Sequence, residues 1–220
     1  MRAIPFVIIV APFVAACGDA ALERAETAFS PPPGPAPGVY SGRFPCDGCP
    51  GIDTTLWLRA DGAFFWRQRY LDYDDAPPTI SYNLGRWHVD PDGTLVLEGS
   101  GPPRRLELAG PNALSLLTPP AAGHRLTRDA AGERFTDRVR IEGVAIVESG
   151  TATISECRTG LAAPAGGADL ERFLRQYRSL GYRGKPAFVE LEARFEWADD
   201  GALRSFAVDR FMTIKAGRTC

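Results

Sequence analysis

The sequence predicts a mainly β protein that contains two small barrels. Its 23 glycines and 19 prolines among 220 residues indicate many turns. Between residues 38 and 127, short alternating segments are separated by tight turns, as in an antiparallel meander. Beyond residue 138, strand-like segments flank one stretch with helical periodicity. We therefore expect an up-and-down barrel or half-barrel followed by an OB-like barrel with one helix, with a generic α+β sandwich as the alternative for the second part.

The first sixteen residues have the features of a bacterial secretory signal. One basic residue, Arg2, precedes an apolar run over Ile4–Ala16 that is too short for a transmembrane helix. The run ends in Val-Ala-Ala directly before Cys17, a pattern similar to a lipobox. We expect cleavage after residue 16 and lipid attachment at Cys17, with an ordinary signal peptide as the alternative. Gly18 favours delivery to the outer membrane, facing the periplasm.

The rest of the chain divides where its composition changes. Residues 17–37 carry "SPPPGPAPG", which is typical of an extended, polyproline-like tether. Residues 38–127 form the first predicted domain, the polar segment 128–137 a linker, and residues 138–220 the second domain. The net charge of −2, with both signs well mixed, offers no basic surface for nucleic acid.

The helix of the second domain is expected within "ADLERFLRQYRSLG". Leu170, Phe173, Leu174 and Tyr177 recur at helical spacing and predict one apolar face. Asp169 is expected to cap the start of this helix and Gly181 to end it.

Four cysteines remain once Cys17 is set aside for lipid attachment: Cys46, Cys49, Cys157 and Cys220. In an oxidising periplasm an even number of cysteines indicates disulfides, and four cysteines permit three connectivities. Proximity favours Cys46–Cys49 and, by default, Cys157–Cys220.

The segment "RFPCDGCPGI" leaves three interpretations of Cys46 and Cys49. A catalytic thiol is usually acidified by a helix N-terminus, whereas here a strand pattern follows and Asp47 disfavours the thiolate. Zinc needs about four ligands, and His88 and His124 are single histidines on predicted strands. Two soft thiolates suit Cu(I) when they are reduced. A local structural disulfide is the simplest interpretation, and we expect no enzymatic activity.

A set of spaced residues in the first domain points to a known family. It comprises Gly38, Tyr40, Gly42, Pro45, Cys46, Cys49, Gly51, Ile52, Thr55, Leu56, Asp61, Gly62, Tyr70, Leu71, Gly85 and Trp87. As a set, these residues resemble the N-terminal domain of the NlpE family of bacterial outer-membrane lipoproteins.

The resemblance implies a lipocalin-like half-barrel with a role in copper resistance and envelope stress sensing. It further implies signalling by contact with a periplasmic sensor-kinase domain, and, together with thiolate chemistry, Cu(I) ligation by Cys46 and Cys49. Long family members add an OB-like domain with a widely spaced cysteine pair, a role that Cys157 and Cys220 fit. Breaking that bond is expected to loosen the final strand.

Two alternative functions remain. The first barrel is a candidate carrier of a lipid or a small apolar ligand, lined by Leu56, Leu58, Phe64 and Trp66, although core packing is the favoured explanation for these residues. The other alternative is thiol–disulfide exchange by the CxxC pair, which predicts a reduction potential well above that of a structural disulfide.

Overall fold

The computed structural model describes residues 34–73, 77–119, 121–181 and 184–220, and within these ranges it has thirteen strands and one helix. The mainly β prediction is confirmed. The predicted signal peptide lies outside the described residues, as do residues 17–33 of the tether, including Cys17. No helix in the described ranges is both long enough and apolar enough to cross a membrane.

Eight antiparallel strands in chain order form the first barrel. Each strand pairs with the next, and the sheet closes completely because β1 also pairs with β8, through Tyr40–Arg128 and Ser41–Thr127. The strands are β1 (Gly38–Cys46), β2 (Cys49–Leu58), β3 (Ala63–Tyr70), β4 (Thr79–Val89), β5 (Leu95–Glu98), β6 (Arg104–Gly110), β7 (Ala113–Leu116) and β8 (Arg125–Arg128). The predicted meander is confirmed, but it closes into a full barrel and not into the half-barrel that the family resemblance implies.

The turn chemistry of the sequence explains how these strands connect. Asp61-Gly62 joins β2 to β3, with Gly62 at φ +81° and the Asp61 carboxylate accepting a hydrogen bond from the Ala63 amide. Alternation then directs one side-chain set inward. The barrel core consists of Tyr40, Phe44, Leu56, Leu58, Phe64, Trp66, Leu95, Leu97, Leu106, Leu114, Leu116 and Leu126.

The second barrel has the strand order and helix position of an OB fold. Its sheet runs β10-β11-β13-β12-β9, β11 and β13 are parallel, and the helix lies between β11 and β12. The elements are β9 (Val139–Glu148), β10 (Thr151–Glu156), β11 (Ala162–Gly166), α1 (Leu170–Ser179), β12 (Ala187–Trp197) and β13 (Leu203–Ala216). The OB-like prediction is confirmed and the generic sandwich is not.

Helix α1 packs through Phe173 and Tyr177, which are one turn apart and buried. Gly181 follows the helix at φ +67°, as expected of a residue that ends a helix. Asp169 occupies the N-cap position, as predicted, but the predicted side-chain cap is absent. Its side chain makes no capping bond and instead accepts a 2.7 Å hydrogen bond from the Phe211 amide of β13, because that amide competes for the same carboxylate.

The two barrels pack against each other through an aromatic cluster. Phe65 of β3 faces away from the first barrel's interior and stacks on Phe135, with ring centroids 4.8 Å apart. It also meets Phe195 edge to face at 5.0 Å. Phe135 falls within the predicted linker and is buried. Trp197 extends the cluster, and its indole N–H donates a 2.6 Å hydrogen bond to the Phe135 carbonyl. The segment between the barrels is therefore part of their common core.

Candidate functional site: two disulfides and a cavity at one end of the first barrel

The Cys46–Cys49 disulfide closes the hairpin between β1 and β2. The two cysteines face each other in the strand register with their Cα atoms 5.2 Å apart, and Asp47-Gly48 forms the two-residue turn. Gly48 adopts φ +88°, a conformation that such turns require and that glycine allows at low cost. Strand β2 starts at Cys49, so this pair is not at a helix N-terminus of the kind that acidifies catalytic thiols.

The Cys157–Cys220 disulfide joins a half-buried turn to an exposed segment. Cys157 follows β10, whereas Cys220 lies beyond the end of β13 and is exposed; their Cα atoms are 5.4 Å apart. The bond connects positions that are 63 residues apart in the chain. Both disulfides therefore follow the pairing that proximity favours.

A buried carboxylate organises the turn that carries Cys157. Glu156 is 1% exposed and accepts hydrogen bonds from the Thr159 amide at 2.7 Å and the Thr159 hydroxyl at 2.6 Å. It also accepts a 3.2 Å hydrogen bond from the Arg158 amide. Glu156 could not be predicted from the sequence, because a glutamate at the end of a strand has no distinctive pattern.

The predicted metal ligands do not converge in this oxidised state. The sulfurs of Cys46 and Cys49 are bonded to each other, so neither is a thiolate. His88 Nε2 lies 3.1 Å from a carboxylate oxygen of Asp90, and His124 stacks on Phe44. In the part of the chain that the structure describes, no group of three or more His, Cys, Asp and Glu side chains is placed to hold a metal. Cu(I) chemistry at the CxxC therefore requires reduction first.

A cavity of about 780 Å³ opens at the end of the first barrel next to the Cys46–Cys49 disulfide. Three of the four residues predicted to line a ligand site, Leu56, Leu58 and Phe64, are instead packed in the barrel core and at most 1% exposed. For these three residues the favoured core-packing interpretation is confirmed and the lining alternative is wrong, because inward side chains fill that section of the small barrel. Trp66 does line the cavity.

The side chains that shape this cavity come from strands on both sides of the barrel. Trp66, Gln68 and Tyr70 alternate along β3 and all three reach it, with Arg104 of β6 and His124 among the other lining residues. Arg104 precedes the buried Leu106 by two positions. Strict alternation along β6 therefore predicts that Arg104 faces the barrel interior. This alternation was the sequence signal that could have identified Arg104.

Together, these features define a disulfide-containing protein with an eight-stranded barrel followed by an OB-type barrel. Residues 40–122 match the family described as the NlpE N-terminal domain. This match confirms the resemblance that the spaced motifs of the first barrel predict.

Individual relatives extend the comparison beyond this domain. The chain is 28% identical to lipoprotein NlpE of Escherichia coli over 167 residues, 73% of this chain and 69% of that protein. It is 34% identical to the 17 kDa lipoprotein of Treponema pallidum over 96 residues, 41% of this chain and 57% of that protein. The crystal structure of the Cpx pathway activator NlpE from Escherichia coli is 24% identical, with a TM-score of 0.37, and the match covers 84% of this chain and 98% of that one.

Proposed function

We propose that this protein is a lipid-anchored envelope lipoprotein that monitors oxidative folding and copper stress and signals by protein contact. The observation that carries the proposal is the Cys157–Cys220 disulfide, which fastens an exposed segment to an ordered turn. The sequence relationship to the E. coli lipoprotein, which is described as a Cpx pathway activator, supports the signalling role.

The position of Cys220 explains how reduction would act. Its exposure gives small reductants and oxidoreductases access to the bond, because thiol–disulfide exchange needs a reachable sulfur. Strand β13 ends at Ala216 and pairs with β12 along its length, so the barrel retains it after reduction. Residues 217–220 are then released from Cys157, and the protein presents a changed surface to a periplasmic sensor-kinase domain.

A reporter assay tests this role. The protein is expressed in an E. coli strain that lacks its own NlpE and carries a Cpx-dependent reporter, at matched protein levels. The double variant Cys157→Ser/Cys220→Ser is expected to raise reporter output several-fold over the unchanged protein. The matched control, Cys46→Ser/Cys49→Ser, leaves the long disulfide intact and should stay near the basal level. Equal output from all three proteins would refute the proposal.

Copper resistance forms the second part of the proposal. After reduction, Cys46 and Cys49 supply two thiolates at a hairpin tip, and soft thiolates select Cu(I). Titration with Cu(I) in the Cys157→Ser/Cys220→Ser background isolates this pair. We expect one Cu(I) per chain after mild reduction and none before it. Failure to take up copper after reduction would remove this part of the proposal without affecting the reporter result.

Lipid attachment at Cys17 places the protein at the outer membrane, facing the periplasm, in this proposal. The names of both curated relatives, a lipoprotein in each case, support it. Membrane fractionation of Cys17→Ser tests the anchor, since the variant should move to the soluble periplasmic fraction. A variant that stays in the membrane fraction would contradict it.

A further inference from the structure

The cavity of the first barrel contains a cation whose charge is not neutralised by a neighbouring carboxylate. Among the described residues, no aspartate or glutamate lies within ion-pairing distance of the Arg104 guanidinium, although other arginines of this barrel, such as Arg43 and Arg105, have carboxylate partners. Arg104 is partly buried, and burial lowers its pKa. A guanidinium nevertheless keeps its charge in proteins, so this position favours an anionic partner.

A second polar group in the same cavity also lacks a partner. Trp66 is 1% exposed, and within the described ranges its indole N–H has no hydrogen-bond acceptor. Most buried polar groups in folded proteins are hydrogen-bonded, so an unsatisfied one needs an explanation. The Arg104 guanidinium carbon lies 5.1 Å from the Trp66 ring centroid. The cation therefore lies over the ring that carries the unsatisfied donor.

Apart from Asp47 at the rim, most of the remaining lining is apolar or neutral. Phe44, Ile52 and Leu116 supply apolar surface, while Gln68 and Tyr70 supply neutral polar groups. Ligand pockets typically combine such a lining with a few polar groups that fix orientation, and a volume of about 780 Å³ lies within their usual range.

One carboxylate limits the charge of the ligand. Asp47 lies on the exposed turn at the rim of the cavity, where it repels anions weakly because solvent screens it. With one guanidinium, from Arg104, and one carboxylate, from Asp47, the lining suits a ligand with a single negative charge better than a doubly charged phosphate.

We propose that this cavity binds a long-chain fatty acid, with its carboxylate on the Arg104 guanidinium and the Trp66 indole N–H. The guanidinium fork matches the geometry of a carboxylate. The acyl chain then covers the apolar lining formed by Phe44, Ile52 and Leu116. This assignment makes Arg104 the residue that determines head-group specificity.

Fluorescence titration with cis-parinaric acid tests the proposal on the full chain carrying Cys17→Ser, so that no attached acyl chain competes. The unchanged cavity should bind the acid. Arg104→Gln should weaken binding at least tenfold, Trp66→Phe about threefold, and Arg104→Lys less than Arg104→Gln. The matched control is Arg105→Gln, since Arg105 is the next residue of β6 and pairs with Asp90 at the surface; its affinity should be unchanged.

The methyl ester of the same probe separates carboxylate recognition from simple partition into an apolar space. The ester should bind at least tenfold more weakly than the acid and should not respond to Arg104→Gln. Lysophosphatidic acid, used as a competitor below its micelle concentration, should displace the probe less effectively than palmitate. The proposal is overturned if the probe does not bind, if acid and ester bind equally, or if the phosphate-headed lipid competes better. The acid–ester comparison needs no variant, so it tests carboxylate recognition even if Arg104→Gln fails to fold.

Discussion

The guanidinium carbon of Arg59, in the β2–β3 turn of the first barrel, lies 4.5 Å from the ring centroid of Trp197 in the second. It also lies 5.2 Å from the ring of Trp57, so one cation contacts an indole from each barrel. The same guanidinium donates a 2.8 Å hydrogen bond to the Gly201 carbonyl. The barrels are therefore joined by specific polar and aromatic contacts, so that a structural change in one barrel can alter the stability of the other.

Replacing Trp197 with alanine should separate the unfolding of the two barrels. The change removes the contacts with Arg59 and Phe65 and the hydrogen bond to Phe135. We expect the free energy of unfolding to fall by about 3 kcal/mol and the single denaturation transition to broaden or split. Tyr73→Ala is the control, because Tyr73 is an exposed aromatic residue at 71%. An unchanged single transition for Trp197→Ala would contradict this account.

The two disulfides should differ in their contributions to stability. In the chain-entropy model the long bond, with a separation of 63 residues, contributes about 4 kcal/mol, and the short one, with a separation of 3, about 2 kcal/mol. Denaturant unfolding of Cys157→Ser/Cys220→Ser and Cys46→Ser/Cys49→Ser measures both losses. A larger loss for the short bond would show that local strain or packing dominates over loop length.

Loss of the long disulfide should have a local effect. Strand β13 pairs with β12 from Leu203 to Ala216 and with β11 at Phe206 and Ala207. Amide hydrogen exchange in Cys157→Ser/Cys220→Ser should therefore speed up in residues 217–220 while the β13 amides stay protected. The sequence-based expectation of a loosened final strand makes the opposite prediction, and loss of protection throughout β13 would support it.

Replacing Glu156 with glutamine should weaken the turn that carries Cys157. The buried carboxylate accepts three hydrogen bonds, and charge-assisted bonds of this kind are stronger than neutral ones. We expect a loss of about 1–3 kcal/mol and faster reduction of Cys157–Cys220 by dithiothreitol. Glu148→Gln, at an exposed position, is the matched control. Reduction rates that do not differ between the two variants would exclude this role for Glu156.

Tyr82 should contribute to the loss of stability at alkaline pH. Burial, with the nearby Asp137 carboxylate as the second cause, raises the pKa of Tyr82 from 10.0 to about 12. The unfolded chain ionises first, so the stabilisation is complete below pH 10.0 and is lost as the pH rises towards about 12. Tyr82→Phe should flatten the fall in unfolding free energy across this window. If the unfolding free energy of Tyr82→Phe falls just as steeply, the loss of stability at alkaline pH arises from other groups.

Alternation and turn residues were enough to predict the architecture of the first barrel. The pattern of β2 directs Leu56 and Leu58 inward, and Asp61-Gly62 fixes the following hairpin. The face of the first barrel that packs against the second was not predictable, because nothing in the sequence indicates which residues contact the outward side chains of Trp57 and Phe65. The run "AFFW" in β3 did contain a signal, since consecutive apolar residues indicate a strand buried on both faces.

The sequence was less informative about the site. Cys46 and Cys49 stood out by their spacing, but Arg104 did not, because an arginine in a strand usually faces solvent and only its register with Leu106 shows otherwise. Asp169 stands at the N-cap position, but its side chain does not cap the helix, because its carboxylate accepts a hydrogen bond from the Phe211 amide, 42 residues further along the chain. Such long-range competition has no local signature.

The central claim is that the redox state of Cys157–Cys220 sets signalling output. The most direct test measures both quantities in one culture of the Cys46→Ser/Cys49→Ser variant across a dithiothreitol series. Acid quenching and thiol alkylation give the reduced fraction, and the Cpx-dependent reporter gives the output. We expect the reporter output to rise in step with the reduced fraction of Cys157–Cys220. The quadruple cysteine-to-serine variant at residues 46, 49, 157 and 220 is the redox-insensitive reference. Its reporter output should be high at every dithiothreitol concentration. Output that stays flat while the bond becomes fully reduced would contradict the claim.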